Sequence, residues 1–570
     1  MKRESGRVFV LGLDGATFDI IDALIAKGRL PNLEKLIQQG CGRELLSTIH
    51  PFSAQAWSSF MTGMNPGKHG IVDFTEHVKS EYKLKFLNAS HRRGKSLWRI
   101  LSDHGKRVGV LNVPFTYPPE EVNGFMISGM DAPSTDSDYT YPKELSEKIS
   151  TQVGEYIIEL GVKDYIAKGR PEAFLKEIEN AFEVHIKTLN YLLKQEPWDF
   201  FMYVCRFTDQ VQHYFWKYSD PNHPSYDENA DKELKNAIAS LYGRIDKAIG
   251  RLIGSLDEDV NIVVVSDHGH GGINGKKIFL NKWLSCQGFL EFEEKRNISG
   301  GGLFGFVPKK QKGDFLNFVR SRIPKKLRSR LVKSMPMLKD NFISQEAFSN
   351  INWEKTTAYS DEKKGNIWIN VRGCQPKGIV SPGEEYQNVR EQVIEKVKQM
   401  KDPDSQALIF PEVFRKEELY SGPYMDNAPD IILTEGKSKY TYVLKRSNRD
   451  EDKTSWIAPL TRNEMDKLPN ATHRLEGILI MKGKHLRERG RISKPANIVD
   501  IAPTILYMMG LPVPENMDGS VLIDLFQDEY VACHQVEHLS SDDVEEKEKQ
   551  EYSPEEEEII SERLRQLGYL

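Results

Sequence analysis

Apolar residues recur along the chain in two alternating rhythms. Val8-Phe9-Val10-Leu11-Gly12-Leu13 is an unbroken apolar run, the pattern of a strand covered on both faces. It ends at Asp14-Gly15, and Phe18, Ile20, Ile21, Leu24 and Ile25 then follow helical spacing. Pro31 opens a second helix with Leu33, Leu36 and Ile37 on one face and Gly40 as its stop. Further strands are predicted at 107–113, 125–128, 200–205, 260–266, 366–371, 431–433 and 477–481, and long helices at 171–194 and 234–253. Apolar strands alternating with helices predict an α/β fold: a three-layer α/β/α sandwich around a mostly parallel central sheet.

Three stretches look peripheral, and two of them bound the core, expected at 1–293 and 346–530. Residues 294–345 begin with Ser299-Gly300-Gly301-Gly302, and between Lys309 and Lys339 they carry eleven Lys or Arg against one Asp. Phe315, Phe318, Val319, Ile323, Leu327 and Leu331 predict short amphipathic helices there, so the segment reads as a basic helical insertion. A solvated surface element is the plainer reading of it, and peripheral contact with an anionic membrane the alternative. Residues 531–570 read as an acidic linker followed by a C-terminal helix, whose apolar face is Ile559, Ile560, Leu564 and Leu567. Residues 131–170, rich in Asp, Ser, Tyr and Pro, read as an excursion over one end of the sheet.

Composition adds exclusions. Hydrophobic content of 39% and charged content of 28% are those of an ordinary globular protein. A net charge of −5 provides no basic field for a nucleic acid polymer. No apolar stretch approaches a membrane span, and the first apolar run is too short for a signal peptide. The five cysteines show no CxxC spacing and read as free thiols, so a cytoplasmic location is expected.

Ligands of open α/β sheets gather beyond the carboxyl ends of the strands, which makes acidic and histidine residues there informative. Asp14 follows the first strand directly. Asp209 and His213 follow the strand at 200–205 with the i,i+4 spacing that puts two side chains on one helix face. Asp267 and His268 leave the most apolar strand of the chain into Gly269-His270-Gly271-Gly272, which reads as a glycine-rich turn. Burying that pair without a cation would be costly. His270 reads either as an ordinary loop histidine or as a contact to ligand or substrate, and His473 by itself as a loop histidine before the strand at 477–481. Ser53 opens the helical stretch Ser53-Ala54-Gln55-Ala56-Trp57, where it reads as an N-cap or, with the same geometry, as a nucleophile at a helix N-terminus that favours anions.

Taken in order, these motifs resemble the type I phosphodiesterase/nucleotide pyrophosphatase family of the alkaline phosphatase superfamily. The resemblance runs through Leu11-Gly12-Leu13-Asp14-Gly15, Ser53 with Thr62-Gly63-Met64-Asn65-Pro66-Gly67, Asp209 and His213, Ser266-Asp267-His268-Gly269, Thr472-His473 and Asp500-Ile501-Ala502-Pro503-Thr504. It implies two divalent metal ions, zinc first and manganese second. Asp209, His213 and His473 would hold one ion, and Asp14, Asp267, His268 and the Ser53 oxygen the other. It also implies hydrolysis of a small phosphoester, a nucleotide among the candidates, through a phosphoseryl intermediate. Nucleotide-cleaving members usually carry Thr as nucleophile and Asn three positions later, where this chain has Ser53 and Ala56. A phosphomutase, a phosphonate or phosphomonoester hydrolase, and a non-catalytic nucleotide- or metal-binding protein are the competing readings.

Overall fold

The run Val8–Leu13 forms strand β1, near the middle of a ten-stranded sheet. The computed structural model describes residues 6–78, 81–162, 165–293, 348, 351–447, 455–540 and 549–569. In chain order the strands that matter below are β2 (Cys41–Leu46), β3 (Val108–Val113), β4 (Gly124–Ser128), β5 (Thr140–Tyr141), β6 (Phe200–Cys205), β7 (Asn261–Val265), β8 (Gly269–Ile278), β9 (Ala471–Arg474), β10 (Glu476–Lys482) and β11 (Gly490–Arg491). The large sheet runs β11-β2-β10-β7-β1-β6-β3-β4-β5, with the short strand Ala496–Asn497 beside β2. Its centre is parallel: β1 pairs in parallel with both β6 and β7, and β3 with β4 and β6. Only β10 and β5 run against it.

Side chains of a strand point alternately to the two faces, and here each face has its own core. From β1, Phe9, Leu11 and Leu13 enter one core while Val8 and Val10 enter the other. The helices that matter below are α1 (Phe18–Ile25), α2 (Pro31–Gln38), α3 (Ser53–Thr62), α4 (Leu97–Asp103), α5 (Pro171–Gln195), α6 (Phe207–Ser219), α7 (Ala237–Ile253), α8 (Ile501–Met508) and α9 (Pro554–Gln566). Ile21, Leu33, Phe182, Val211 and Ile245 cover the first face from α1, α2, α5, α6 and α7. Trp57, Trp98 and Ile505 cover the second from α3, α4 and α8. The expected three-layer α/β/α sandwich is what the chain adopts.

Three local readings change. Cys41–Leu46 is a strand that the pattern conceals, because Arg43-Glu44 interrupts its apolar run. The Arg43 side chain is 1% exposed and reaches Asp524 at 2.6 Å, so a charge lies where periodicity expects an apolar residue. The stretch after His268 is no turn but the ten-residue strand β8, which pairs with Tyr440–Leu444, Ile457–Pro459 and β9 in a second sheet. Its glycines permit contact that a side chain would block: a Cβ on Gly269 would lie 2.1 Å from the carbonyl oxygen of Glu476. His473 is on strand β9, not on a loop.

The basic insertion expected at 294–345 lies outside the described residues, as does the acidic stretch 541–548. The terminal helix α9 buries Ile560, Leu564 and Leu567 in the first core. No helix among the described residues is long and apolar enough to cross a membrane.

Helix α2 shows how distant segments complete each other. Its N-cap, Leu30, offers no side-chain acceptor. Asp246 of α7, buried at 1% exposure, accepts instead from the backbone N–H of Asn32 at 3.1 Å and of Leu33 at 2.8 Å. Asp246→Ala would leave those donors buried without an acceptor, so the urea midpoint should fall by the equivalent of about 2 kcal/mol.

Candidate active site

Adjacent parallel strands carry the sequence-predicted residues to one rim of the sheet. Asp14 follows β1, Asp209 and His213 lie in the first two turns of α6 after β6, and Asp267 and His268 follow β7. Their strands are ordered β7-β1-β6, so three strand ends discharge carboxylates and imidazoles into one space. The second sheet contributes the rest: β8 and β9 pair antiparallel with His270 opposite His473. Ser53 is the first residue of α3, whose N-terminus faces the same space.

The side chains meet closely. Nε2 of His213, His473 and His270 lies 3.2, 3.5 and 3.7 Å from Oδ1 of Asp209. Nε2 of His268 lies 3.5 Å from Asp14 Oδ1, 3.4 Å from Asp267 Oδ2 and 3.4 Å from Ser53 Oγ. Two sets, Asp209/His213/His270/His473 and Asp14/Asp209/His268, each present ligand atoms within 4.8 Å of one another. Asp209 therefore stands in both sets, and His270, which the sequence left open between a loop histidine and a contact residue, joins the first. Asp267 lies beside the second set without completing it: its Oδ1 accepts the Gly15 N–H at 3.4 Å.

Several contacts orient these donors. Nδ1 of His213 donates to the Ala471 carbonyl at 2.7 Å, and Nδ1 of His268 to the Gly269 carbonyl at 3.0 Å, which leaves both Nε2 lone pairs facing the cluster. Thr208 Oγ1 donates to the Asp14 carbonyl at 2.6 Å, and Gln212 to the Gly15 carbonyl at 2.8 Å. Gly15 has φ +68°, and a Cβ there would lie 2.6 Å from His270 Nδ1. Only glycine lets the loop approach that ring.

The charge balance calls for a cation. Asp14, Asp209, Asp267, His268 and His270 are each at most 1% exposed. Burial holds Asp14 well above the usual carboxylate range, with Asp267 and Asp209 adding to the effect. Burial, then Asp209, pushes Asp267 up to about 7. Burial acts against the Asp209 charge too, but His213, His473 and His270 outweigh it and hold that carboxyl well below its ordinary value. Burial lowers His268, and lowers His270 and His473 much further. Oδ1 of Asp14, both oxygens of Asp209, Oδ2 of Asp267 and both ring nitrogens of His270 have no hydrogen-bond partner. Imidazoles and unsatisfied carboxylate oxygens buried together are a donor set that could hold a divalent transition metal.

Ser53 is not the cap that its position suggested. The N-cap of α3 is Phe52, and Ser53 makes no capping bond. Its Oγ instead lies 2.7 Å from the hydroxyl of Tyr569. Ala56, one turn later, is packed in the second core and offers the site no donor. Beside the cluster lies a cavity of about 450 Å³ whose wall includes Phe52, His213, Lys364, His473 and Tyr569. Lys364 Nζ donates to Thr472 Oγ1 at 3.1 Å and lies 5.6 Å from the centre of the Phe52 ring, next in sequence to a candidate ligand and to the candidate nucleophile. Burial lowers its pKa. Neither Lys364 nor Tyr569 stands in a pattern that the sequence alone exposes. The only advance sign of Tyr569 was the apolar face of its helix.

No curated protein matches the chain. Among solved structures it is similar to phosphonoacetate hydrolase from Sinorhizobium meliloti 1021, at 15% identity and TM-score 0.49 over 88% of this chain and 95% of that one. It is also similar to human ectonucleotide pyrophosphatase/phosphodiesterase 5, at 12% identity and TM-score 0.46 over 92% of this chain and 100% of that one. The family model of type I phosphodiesterases and nucleotide pyrophosphatases matches residues 8–458, which include every candidate ligand except His473. The chain belongs to the type I phosphodiesterase/nucleotide pyrophosphatase family.

Proposed function

We propose that the chain is a metal-dependent phosphoric ester hydrolase that uses Ser53 as nucleophile, with a phosphodiester or nucleotide pyrophosphate as substrate. The observation that carries this reading is the buried cluster of unsatisfied carboxylate oxygens and imidazoles, of which the His268 ring comes within 3.4 Å of Ser53 Oγ. Asp209, His213 and His473, with His270 as a fourth donor, would hold one divalent ion. Asp14, Asp267, His268 and the Ser53 oxygen would hold the other. Mixed carboxylate and imidazole donors suit zinc, with manganese second. Bound there, two such ions supply positive charge for phosphoryl oxygens and lower the pKa of a hydroxyl and of water.

The chain's own residues account for the rest. Ser53 Oγ loses its proton to solvent or to the leaving oxygen and bonds to phosphorus as the bond to the leaving group breaks. Water then bonds to the phosphorus of phosphoserine, the Oγ–P bond breaks, and Ser53 recovers a proton. The free N–H groups and dipole at the start of the ten-residue α3 favour the anionic phosphoryl group throughout. The five cysteines are all unpaired, which supports a reducing compartment such as the cytoplasm.

A phosphonate or phosphomonoester is the second reading. Lys364 favours it, because a buried ammonium whose one hydrogen-bond partner among the described residues is Thr472 would suit an additional negative group in the cavity.

A panel of bis-p-nitrophenyl phosphate, p-nitrophenyl phosphate, the p-nitrophenyl ester of thymidine 5′-monophosphate and a phosphonate, each with zinc or manganese, tests the reaction. Ser53→Ala should abolish turnover with metal content near normal by elemental mass spectrometry; normal turnover in that variant would end the covalent mechanism. Asp267→Asn should lose about one equivalent of metal. Lys364→Ala should lower kcat/KM about tenfold for the dianionic monoester and much less for the monoanionic diester, a difference worth about 1.4 kcal/mol.

A further inference from the structure

The C-terminal segment enters the candidate site. Helix α9 ends in a hydrogen-bonded reversal: the Tyr569 N–H donates to the Leu564 carbonyl at 2.9 Å and the Gly568 N–H to the Arg565 carbonyl at 3.2 Å. Gly568 has φ +79°, the left-handed conformation this ending requires. The result is a fixed aim for the next side chain. Tyr569 points inward, 2% exposed, with its ring 4.8 Å from Phe74, 5.1 Å from His473 and 5.9 Å from Phe52. Its hydroxyl is the one described partner within 3 Å of Ser53 Oγ.

That position is the one a phosphoryl group would need if Ser53 is the nucleophile. A phosphorus atom in line for attack must come within roughly 3–3.5 Å of the nucleophile oxygen. The phenol already fills that shell. Ser53 is 1% exposed, and the cavity wall includes Phe52, His473 and Tyr569 but stops short of Ser53. The ring is thus the partition between the cavity and the nucleophile.

The segment is anchored at points away from the reaction centre. Arg563 donates to the carbonyl oxygens of Ala132 at 2.7 Å and Pro133 at 3.0 Å, and also to that of Met130. The Tyr552 hydroxyl donates to the Asp131 carbonyl at 2.9 Å, and Asn88 to the Gln550 carbonyl at 2.7 Å. These contacts go to the 130–133 turn and to Asn88, and the Tyr214 hydroxyl donates to the Gln566 carbonyl, so displacing the strap unpairs no strand but takes Leu567 out of the first core.

We infer that residues 565–569 form an autoinhibitory strap, with Tyr569 occupying the place of the substrate phosphoryl group over Ser53. The inference rests on the hydrolase reading for the role of Ser53. In this closed state only the fraction of molecules with the strap displaced can bind, so apparent affinity and kcat/KM are both reduced by that fraction.

The test compares metal-loaded full-length protein with Tyr569→Ala, Tyr569→Phe, Arg563→Ala and a chain ending at Gln566. Two readouts are taken: hydrolysis of p-nitrophenyl phosphate and its diester, and calorimetric affinity for inorganic phosphate, with thermal melts to verify folding. Tyr569→Ala and the truncation should raise kcat/KM and tighten phosphate binding by on the order of tenfold or more. Arg563→Ala, which loosens the strap and leaves the phenol in place, should move both readouts the same way by less. Tyr569→Phe, which keeps the ring, should rise less than Tyr569→Ala. Loss of activity in both Tyr569→Phe and Tyr569→Ala would make the phenol a catalytic donor and overturn the strap. Unchanged values in every folded variant would overturn it as well. If no form hydrolyses any ester, the hydrolase reading fails, while phosphate affinity still decides whether the strap blocks the site.

Discussion

Three carboxylates and four imidazoles are packed here side by side in a buried space. Removing a carboxylate from water without a partner costs several kcal/mol even after the surroundings relax. Asp14, Asp209 and Asp267 bear that cost together, and each raises the cost for the others. Protonating them, as burial drives Asp14 and Asp267 to do, is one escape. A bound cation is the other, and the orientation of the rings favours it: the Nδ1 atoms of His213 and His268 are spent on backbone carbonyls, and their Nε2 lone pairs converge. The remaining architecture can be understood as what is needed to hold this unfavourable arrangement together.

The holding is done by parallel strands apolar on both faces. β7, β1 and β6 are buried throughout their lengths, so their ends are placed by two cores at once and cannot shift independently. Polar side chains just past those ends inherit that rigidity. The second sheet closes the site from the other side. Its approach depends on glycines: Gly269 lies against Glu476, and Gly15 against His270. Carboxylates and imidazoles on one sheet and the rim of another can share a cluster only because no Cβ separates their backbones.

Closure also restricts access. The basic cavity behind Phe52 has room for a substrate, yet the aromatic ring of Tyr569 divides it from Ser53. Helix α9 is thus packed as part of the core at Leu564, with Leu567 just beyond it, while Tyr569 lies on the Ser53 hydroxyl. A helix ending is a suitable place for such a device, because the left-handed Gly568 directs one side chain without committing a strand.

Much of this was legible in the linear chain. Unbroken apolar runs announced β1, β6 and β7, since a strand buried on both faces leaves no polar position to confuse the pattern. Asp14, Asp209, His213, Asp267 and His268 followed from their places at those strand ends. β2 was hidden by the buried Arg43, and β8 by its glycines, because periodicity cannot distinguish a close backbone contact from a turn. His270 and His473 became partners only through the β8–β9 register, and Ser53 lost its capping role only when its neighbours were in place. Local sequence determines which residues can form a strand or offer a ligand. Which of them meet, and that Tyr569 arrives at Ser53 from more than five hundred residues away, depends on long-range packing that no local pattern encodes.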